Sequence, residues 1–299
     1  MTKIIGTGLS GLVGSRLVEL LQKKFEFVDF SLDSGVDITK LSSLKKAFLK
    51  YLDCEAIIHL AAFTDVSEAA KQEEDKKGLC YQINVVGTQN IANLCQEYGK
   101  YIIHISTDNV FNGKKRTPYT EEDQPQPIEW YGETKYLAEE AVKKTKNPWL
   151  IVRIAFPFKA KSSPKKLEPK PKLDLTRKII ERIKIGQKIK MFTDQVITST
   201  FIDDIAKAMD TFFKKKPTGI YHVVGSDFIT PYNLALKICK VFNLDETKVK
   251  KTSLREYQKI DPRPRQRYSC LSNKKLEKNL GIKMSNLDQA FRKIKTQLR

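Results

Sequence analysis

A tyrosine and a lysine four residues apart form the clearest chemical signal in the sequence. Tyr131 and Lys135 belong to the segment Tyr131-Gly132-Glu133-Thr134-Lys135, and a helix would place both side chains on one face. A nearby ammonium group favours the phenolate, so we expect Lys135 to lower the pKa of Tyr131. The tyrosine could then exchange a proton with a carbonyl or alcohol oxygen. A surface helix can show the same spacing by chance.

Two hydroxyl side chains follow an apolar run that is predicted to be a strand. Ser106 and Thr107 come directly after Tyr101–Ile105. In parallel sheets covered by helices, ligands bind at the carboxyl ends of the strands. A hydroxyl group at this position could hydrogen-bond the oxygen that exchanges the proton. The next residue, Asp108, could either act on the substrate or cap the following turn.

Three glycines near the N-terminus have the spacing G-x-x-G-x-x-G, in Gly8-Leu9-Ser10-Gly11-Leu12-Val13-Gly14. They follow a predicted strand, Lys3–Gly6, and open a predicted helix. In that context glycines let the backbone approach a pyrophosphate, and the helix N-terminus offers N–H groups and partial positive charge. The loop therefore predicts a dinucleotide cofactor, NADP or NAD. Its expected contacts are Gly8, Leu9, Ser10, Gly11 and Gly14.

The end of the second predicted strand, Phe25–Phe30, should face the adenosine ribose of that cofactor. A carboxylate there favours NAD, whereas a small or basic residue tolerates the 2′-phosphate of NADP. Ser31 and Asp33 are both candidates for this position, so the sequence leaves NAD and NADP open. Asp37 and Ile38 follow, and we expect them to lie beside the adenine.

Strands and helices alternate through the first half of the chain. Short apolar runs predict the strands, and helical periods predict the helices between them. This alternation predicts an α/β fold with a doubly wound, parallel Rossmann-type sheet. The predicted strands are Lys3–Gly6, Phe25–Phe30, Ala56–Leu60, Tyr101–Ile105, Trp149–Arg153 and Gly219–Val224, and the predicted helices lie within Leu12–Leu21, Leu41–Leu52, Ile83–Tyr98 and Tyr131–Lys144.

The alternation stops at Lys159–Lys172. This stretch holds six lysines, three prolines and one acidic residue, and it predicts a flexible, solvated loop or lid. We expect a dinucleotide-binding domain over 1–158, to which 202–224 returns. A smaller C-terminal substrate-binding lobe would comprise 159–201 and 225–299. Further predicted elements are a helix over Leu173–Ile185, a strand near Ile189–Phe192, a helix from Ile202, and a mainly helical region over Pro231–Arg299.

The composition fits a globular protein, with 40% hydrophobic residues. No apolar run approaches the ~20 residues of a membrane span, and we expect a cytoplasmic location. The five cysteines include no C-x-x-C pair, so neither a metal site nor a disulfide framework is expected. The net charge of +19 allows nucleic-acid binding or attraction of an anionic substrate. Because the lysines are rarely interleaved with aromatic residues, nucleic acid is not expected.

The glycine loop, the strand-end hydroxyl and the Tyr/Lys pair, in this order, resemble the extended short-chain dehydrogenase/reductase family. His59-Leu60-Ala61-Ala62 and Asn84-Val85-Val86-Gly87-Thr88 are similar to two further segments of that family. The resemblance implies an NAD(P)-dependent oxidoreductase in which the lysine also holds the nicotinamide ribose. The implied catalytic residues are Thr107, Tyr131 and Lys135, and the implied further cofactor contacts are Ala61, Ala62, Asn84 and Lys135.

Within that family the chain most resembles the dTDP-4-dehydrorhamnose reductases. The supporting segments include Ala61–Val66, Ile105–Phe111 and Gly219–Val223. This likeness implies hydride transfer from NAD(P)H to C4 of a nucleotide-linked keto sugar, with Tyr131 as the proton donor, and neither a nucleic acid nor a membrane as partner. A homodimer is a further expectation. The expected substrate contacts are Asp65, Asp108, Asn109 and Arg263.

Some residues depart from the reductase pattern, and other functions stay open. Asn109 stands where the reductases usually have tyrosine, and Arg153–Phe158 replaces an aromatic segment near the sugar pocket. Arg263 could hold a diphosphate through its forked donors or be one more basic surface residue. One alternative is a nucleotide-sugar epimerase. A 4,6-dehydratase is disfavoured, because asparagine in Asp108-Asn109 cannot serve as a base. The other alternative is a non-catalytic regulatory subunit like that of methionine adenosyltransferase.

Overall fold

The computed structural model describes residues 1–160 and 173–297, and strands and helices alternate along them. The described strands are β1 (Thr2–Thr7), β2 (Phe25–Phe30), β3 (Ala56–His59), β4 (Tyr101–Thr107), β5 (Trp149–Ile154), β6 (Pro157–Phe158), β7 (Ile189–Phe192), β8 (Val196–Thr198), β9 (Thr200–Phe201), β10 (Gly219–His222), β11 (Phe228–Ile229), β12 (Val249–Thr252) and β13 (Tyr268–Ser269). The described α-helices are α1 (Leu12–Leu21), α2 (Leu41–Phe48), α3 (Val66–Ala70), α4 (Leu79–Tyr81), α5 (Thr88–Glu97), α6 (Trp130–Lys143), α7 (Leu175–Lys184), α8 (Ile202–Lys215), α9 (Pro231–Phe242), α10 (Leu254–Gln258), α11 (Lys274–Leu280) and α12 (Leu287–Gln297).

Six of these strands form one parallel sheet in the order β2-β1-β3-β4-β5-β10. The chain passes from β1 to β2 on one side and then returns to place β3 on the other side of β1. In doubly wound sheets the ligand crevice opens at such a switch point, outside the carboxyl ends of the strands. The predicted Rossmann-type sheet is confirmed, and the glycine loop that follows β1 lies at its switch point.

Apolar side chains on both faces of the sheet explain its near-continuous hydrophobic strands. Successive residues such as Ile4 and Ile5 are both buried, the first among residues of α1 and α8 and the second among residues of α2, α5 and α6. A parallel sheet covered on both faces requires this pattern. Arg16 on α1 also forms two hydrogen bonds to Asp203 on α8, at 2.7 and 2.8 Å, which fixes the two helices side by side.

A second apolar core lies in the C-terminal part of the chain, among residues of α7, α9 and α12. Phe158, Phe201 and Phe291 meet there, with Phe158 5.8 Å from Phe201 and 5.6 Å from Phe291 between ring centroids. Strands β7 and β12 pair in parallel, and β11, β8 and β13 form a three-stranded sheet. Sequence patterns predicted β7 but missed the others, because strands of two to four residues carry too few side chains to show a period.

Several predicted helices have different bounds in the structure. The helix predicted over Ile83–Tyr98 begins at Leu79 and passes through a π-helical segment, Gln82–Gly87, before α5. The helix predicted over Leu41–Leu52 becomes a 3₁₀ segment, Leu49–Tyr51, at its end. Helical periodicity cannot distinguish these variants, since their side chains advance by similar angles.

Lys159 corrects the expectation of a solvated segment from Lys159 onward. Its side chain is buried, and Nζ donates a hydrogen bond to Ser15 Oγ on α1 at 2.9 Å. A buried ammonium group is tolerated when it is hydrogen-bonded. The rest of the predicted lid, 161–172, lies outside the described residues. None of the helices in the described ranges combines the length and apolar content that crossing a membrane requires.

Candidate active site

The glycine loop is shaped by close backbone contacts at the switch point. Gly8 has a φ of +66°, and a Cβ there would lie 2.6 Å from the backbone nitrogen of Ala61. A Cβ on Gly14 would lie 2.4 Å from the carbonyl oxygen of Gly8. Gly11, by contrast, has an extended backbone and caps α1 without a side-chain hydrogen bond. The loop therefore presents the start of a ten-residue helix to the crevice, and this arrangement fits a pyrophosphate.

A buried hydrogen-bond chain holds the ends of β1 and β3 together beneath this loop. Thr7 Oγ1 accepts from the backbone nitrogen of Ala61 at 3.1 Å and lies 2.7 Å from His59 Nδ1. His59 Nε2 lies 2.9 Å from Thr88 Oγ1, and Thr88 donates to the carbonyl oxygen of Asn84. His59 Nε2 must then donate to Thr88, and Nδ1 must accept from Thr7. Burial lowers the pKa of His59 to about 3, so this histidine is neutral and structural.

Asn84 connects the residues after β3 to the helix that carries the tyrosine. Its Oδ1 accepts from the backbone nitrogen of Phe63 at 2.8 Å, and its Nδ2 donates to Thr134 Oγ1 at 3.0 Å. Ala61 and Ala62 are therefore held at the crevice between the glycine loop and α6. Cofactor contact by these two alanines and by Asn84 stays a prediction.

Asp29, near the end of β2, is a residue that sequence reasoning missed. Ser31 follows the last residue of the strand, and its hydroxyl donates to the Asp29 carboxylate at 2.5 Å. Asp33, the other candidate, lies exposed two residues further along the turn. The signal that could have revealed Asp29 is the alternation of side chains along a strand, which places residues 29 and 31 on one face.

Asp37 and Ile38 shape the chain between β2 and α2. Asp37 Oδ1 accepts from the backbone nitrogen and the hydroxyl of Thr39, at 3.0 and 2.7 Å, and the Thr39 hydroxyl is the main reason that the pKa of Asp37 is lowered. Ile38 is buried, and a Cβ on Gly87 would lie 2.8 Å from its terminal carbon. The predicted contact of both residues with adenine stays a prediction.

The first two members of the predicted triad meet where β4 ends and α6 begins. Thr107 is the last residue of β4, Tyr131 lies in the first turn of α6, and α6 packs against β4 and the 3₁₀ turn that follows it. Gly132 allows this meeting, because a Cβ there would lie 2.3 Å from the carbonyl oxygen of Asn109. The glycine after Tyr131 thus lets α6 pack directly on the turn that follows β4.

Thr107 also organises the turn after β4. Its hydroxyl donates to Asp108 Oδ1 at 3.1 Å and accepts from the backbone nitrogen and Nδ2 of Asn109, at 3.2 and 3.0 Å. Thr107 itself therefore caps the 3₁₀ turn Asp108–Val110, and the alternative in which Asp108 is the cap is wrong. Burial raises the pKa of Asp108 to about 6.

Lys135 lies one turn beyond Tyr131, and its ammonium group is held by the protein. Nζ donates to the carbonyl oxygen of Ile105 at 2.8 Å and lies 3.2 Å from His104 Nε2. Burial lowers the pKa of Lys135 to about 8. The pKa of Tyr131 is raised, first by burial and then by the carboxylates of Glu129 and Asp108. The net shift is therefore opposite to the direction expected from Lys135 alone, and the effect of Lys135 on the pKa of Tyr131 stays a prediction.

Glu129 is a further residue of the site that sequence reasoning missed. It caps α6, and its carboxylate accepts from the backbone nitrogens of Tyr131 at 3.0 Å and Gly132 at 2.8 Å. Burial raises the pKa of Glu129 to about 7. An acidic residue just before a helical period is a known start signal, and this signal could have identified Glu129.

A cavity of about 280 Å³ lies beside the start of α6. Glu129, Trp130 and Arg263 line it, and the indole nitrogen of Trp130 is buried without a hydrogen-bond partner among the described residues. Arg263 donates to both carboxylate oxygens of Asp261, at 2.8 and 2.5 Å. The structure thus brings Arg263 close to the tyrosine helix.

Asp65 lies at the start of α3, a helix that borders this cavity, and its role there is structural. Its carboxylate caps α3 by accepting from the backbone nitrogens of Ser67 and Glu68, at 2.9 and 3.1 Å. Val66 and Ala70 of that helix line the cavity. Substrate contact by Asp65, Asp108, Asn109 and Arg263 stays a prediction.

A doubly wound parallel sheet, a glycine loop at its switch point and an adjoining threonine, tyrosine and lysine together define the extended short-chain dehydrogenase/reductase class. The chain belongs to the family described as RmlD substrate binding domain, whose model matches residues 1–299.

Comparisons with individual proteins agree with this family. The chain is 31% identical to the spore coat polysaccharide biosynthesis protein SpsK of Bacillus subtilis, over 98% of this chain and 96% of that protein. The crystal structure of dTDP-4-dehydrorhamnose reductase from Bacillus anthracis in complex with NADP superposes with a TM-score of 0.87 at 26% identity, covering 100% of both chains. A dTDP-4-dehydrorhamnose reductase of Clostridium acetobutylicum gives a TM-score of 0.86 at 28% identity, over 99% of each chain.

Proposed function

We propose that this chain is an NAD(P)H-dependent reductase of a nucleotide-linked 4-keto sugar, similar to dTDP-4-dehydrorhamnose reductase. Relatives of that name match most of the chain, and the Bacillus anthracis relative holds NADP. The observation that carries the proposal is the placement of Thr107 at the end of β4 and of Tyr131 in the first turn of α6, which packs on that strand end, with Lys135 one turn further along the helix.

The reduced nicotinamide supplies the hydride when it is bound. Tyr131 would give its proton to the sugar oxygen, and the phenol is in the protonated form that this step needs at neutral pH. Thr107, fixed by Asn109, would orient the same oxygen by turning its hydroxyl proton from Asp108 Oδ1 to the sugar. Lys135, fixed by the carbonyl of Ile105, holds the nicotinamide ribose in this proposal.

The remaining predicted contacts complete the proposed site. Arg263 is pre-oriented by Asp261 at the cavity that it lines, and its remaining N–H donors suit the diphosphate of the substrate. The lobe formed by 159–201 and 225–299 would hold the nucleotide sugar, and the cytoplasmic location and homodimeric assembly stay predictions. The proposed substrate contacts are Asp65, Asp108, Asn109 and Arg263, and the proposed cofactor contacts are Gly8, Leu9, Ser10, Gly11, Gly14, Ser31, Asp37, Ile38, Ala61, Ala62, Asn84 and Lys135.

The purified chain should oxidise NADH or NADPH when it is supplied with dTDP-4-dehydrorhamnose or another nucleotide-activated 4-keto sugar. Tyr131→Phe should reduce turnover by about 10²–10⁴-fold, because only the transferable proton is lost, while the Kd of the dinucleotide is unchanged. Tyr136→Phe, the same change on the same helix, is the control and should keep parental turnover. Parental turnover by Tyr131→Phe would overturn the assigned proton donor. Dinucleotide binding without turnover of any such sugar would favour the regulatory-subunit alternative.

A further inference from the structure

A buried ion pair joins the tyrosine helix to the sheet beneath it. Glu139 on α6 and Arg153 on β5 are both fully buried. Arg153 donates from Nε and Nη2 to the two carboxylate oxygens of Glu139, at 2.9 and 2.6 Å. Ser106 on β4 donates from its hydroxyl to the same carboxylate at 2.6 Å. The carboxylate is therefore held from two neighbouring strands at once.

The guanidinium group of this pair also contacts the turn that follows β4. Ser106, Arg153 and His222 lie opposite one another on β4, β5 and β10, and Arg153 Nη1 lies 3.4 Å from His222 Nε2. The guanidinium carbon lies over the ring of Phe111, 5.0 Å from its centroid. Phe111 ends the 3₁₀ turn that Thr107 caps. One arginine thus packs against that turn and holds α6.

Stability alone does not explain why the fold keeps these two charges. A buried ion pair has a large desolvation cost, and apolar side chains of similar volume are often equally or more stable in its place. Glu139 lies one helical turn beyond Lys135 on α6, which places both on one face. Its carboxylate is the main group that opposes the lowering of the Lys135 pKa by burial. The carboxylates of Glu129 and Asp108 act on Tyr131 instead.

The other ionisable groups around Lys135 carry no negative charge at neutral pH. Burial lowers the pKa of His59 to about 3 and that of His104 well below its usual value, so both imidazoles are neutral. Burial raises the pKa of Cys80, so its thiol stays protonated. In the part of the chain that the structure describes, Glu139 is thus the anion that balances the Lys135 ammonium group.

We propose that Glu139, clamped by Arg153 and Ser106, is a positioning residue for the reaction. It holds the tyrosine helix on β4 and β5, and it supplies the negative charge that balances the Lys135 ammonium group. The proposal rests on the proposed function, which assigns Lys135 to the nicotinamide ribose. Without the carboxylate, Lys135 would lose its proton at a lower pH, and the crevice would lose a cation beside the bound dinucleotide.

Glu139→Gln tests the charge, because glutamine keeps an acceptor oxygen for the clamp but cannot ionise. The measurements are the Kd of NADH without sugar and kcat/KM for the keto sugar, each followed between pH 6 and pH 9. In the parent, NADH binding and kcat/KM should both fall as Lys135 loses its proton near pH 8. In Glu139→Gln this transition should move down by about one pH unit or more, the size expected for an opposite charge at ~6 Å.

Two further variants complete the test. Glu140→Gln makes the same change at the next position of α6, where Glu140 pairs with Lys143 near the surface, and it should keep the parental transition. Glu139→Gln leaves the buried arginine without its counter-charge and could fail to fold. Glu139→Leu combined with Arg153→Met and Ser106→Ala replaces the whole clamp by apolar side chains, so it should fold and show the same lowered transition.

The outcomes separate this inference from the proposed function. If the folded variants of the clamp kept the parental transition in both NADH binding and kcat/KM, the ion pair would be purely structural and the inference would be overturned. A parent that binds NADH but reduces no keto sugar would overturn the proposed function, and the pH dependence of the NADH Kd would still decide the inference. A parent that binds no dinucleotide would overturn both.

Discussion

Replacing Glu129 with glutamine should flatten the pH dependence of the protein's stability. The Glu129 carboxylate accepts two backbone hydrogen bonds at the start of α6, and burial raises its pKa from 4.5 to about 7. Glutamine keeps one acceptor oxygen for the cap but cannot ionise. The change therefore removes the titration and preserves part of the helix cap.

The expected magnitude follows from the raised pKa. In the unfolded chain Glu129 ionises near pH 4.5, whereas in the folded protein it stays protonated up to about pH 7. Its contribution to stability is fully present below pH 4.5 and is lost as the pH rises through 7. A shift of this size corresponds to about 3 kcal/mol, of which about 2 kcal/mol falls between pH 5 and pH 8. The partly lost cap adds a pH-independent cost of about 1 kcal/mol.

Urea denaturation at pH 5 and pH 8 measures this difference. Between these pH values the parent should lose about 2 kcal/mol more unfolding free energy than Glu129→Gln does. Glu140→Gln serves as the control, because Glu140 lies on the same helix in a surface ion pair with Lys143. Its pH dependence should follow that of the parent. If the parent and Glu129→Gln lost equal stability between pH 5 and pH 8, the buried carboxylate would not be the group that titrates there.

Three further changes test the glycines around the site. Gly132→Ala places a Cβ 2.3 Å from the Asn109 carbonyl oxygen. It should lower the unfolding free energy measured in urea by about 1–3 kcal/mol and lower kcat, because it separates the tyrosine helix from the turn. Parental stability and turnover would contradict the close contact. Gly11→Leu would place its Cβ 3.3 Å from the Gly8 carbonyl oxygen, and among the described residues no other atom beyond its chain neighbours lies within 4 Å. This variant should therefore fold normally yet weaken NADH binding roughly tenfold or more by obstructing the helix N-terminus. If folded Gly11→Leu bound NADH as tightly as the parent, the pyrophosphate could not bind at this loop. Gly14→Leu should fail to fold, because its Cβ would lie 2.4 Å from the Gly8 carbonyl oxygen.

The sequence was a reliable guide wherever the physical cause is local. Strand and helix periods predicted the parallel sheet, because a sheet covered on both faces needs apolar residues at successive positions. The glycine loop was recognisable for the same reason, since Gly8 and Gly14 leave no room for a side chain. The short strands β8, β12 and β13 could not be predicted, because two to four residues carry too few side chains to show a period.

The sequence by itself determined the class of fold and the chemical types gathered at its crevice: Thr107, Tyr131 and Lys135 in order on a strand end and a helix. Only the tertiary structure decided their electrostatic state. Burial and two carboxylates, from Glu129 and Asp108, raise the pKa of Tyr131, although the neighbouring lysine alone predicted the opposite. The cause is that a pKa depends on every charge and solvent-excluding group that folding brings near, and sequence spacing shows only those on the same element.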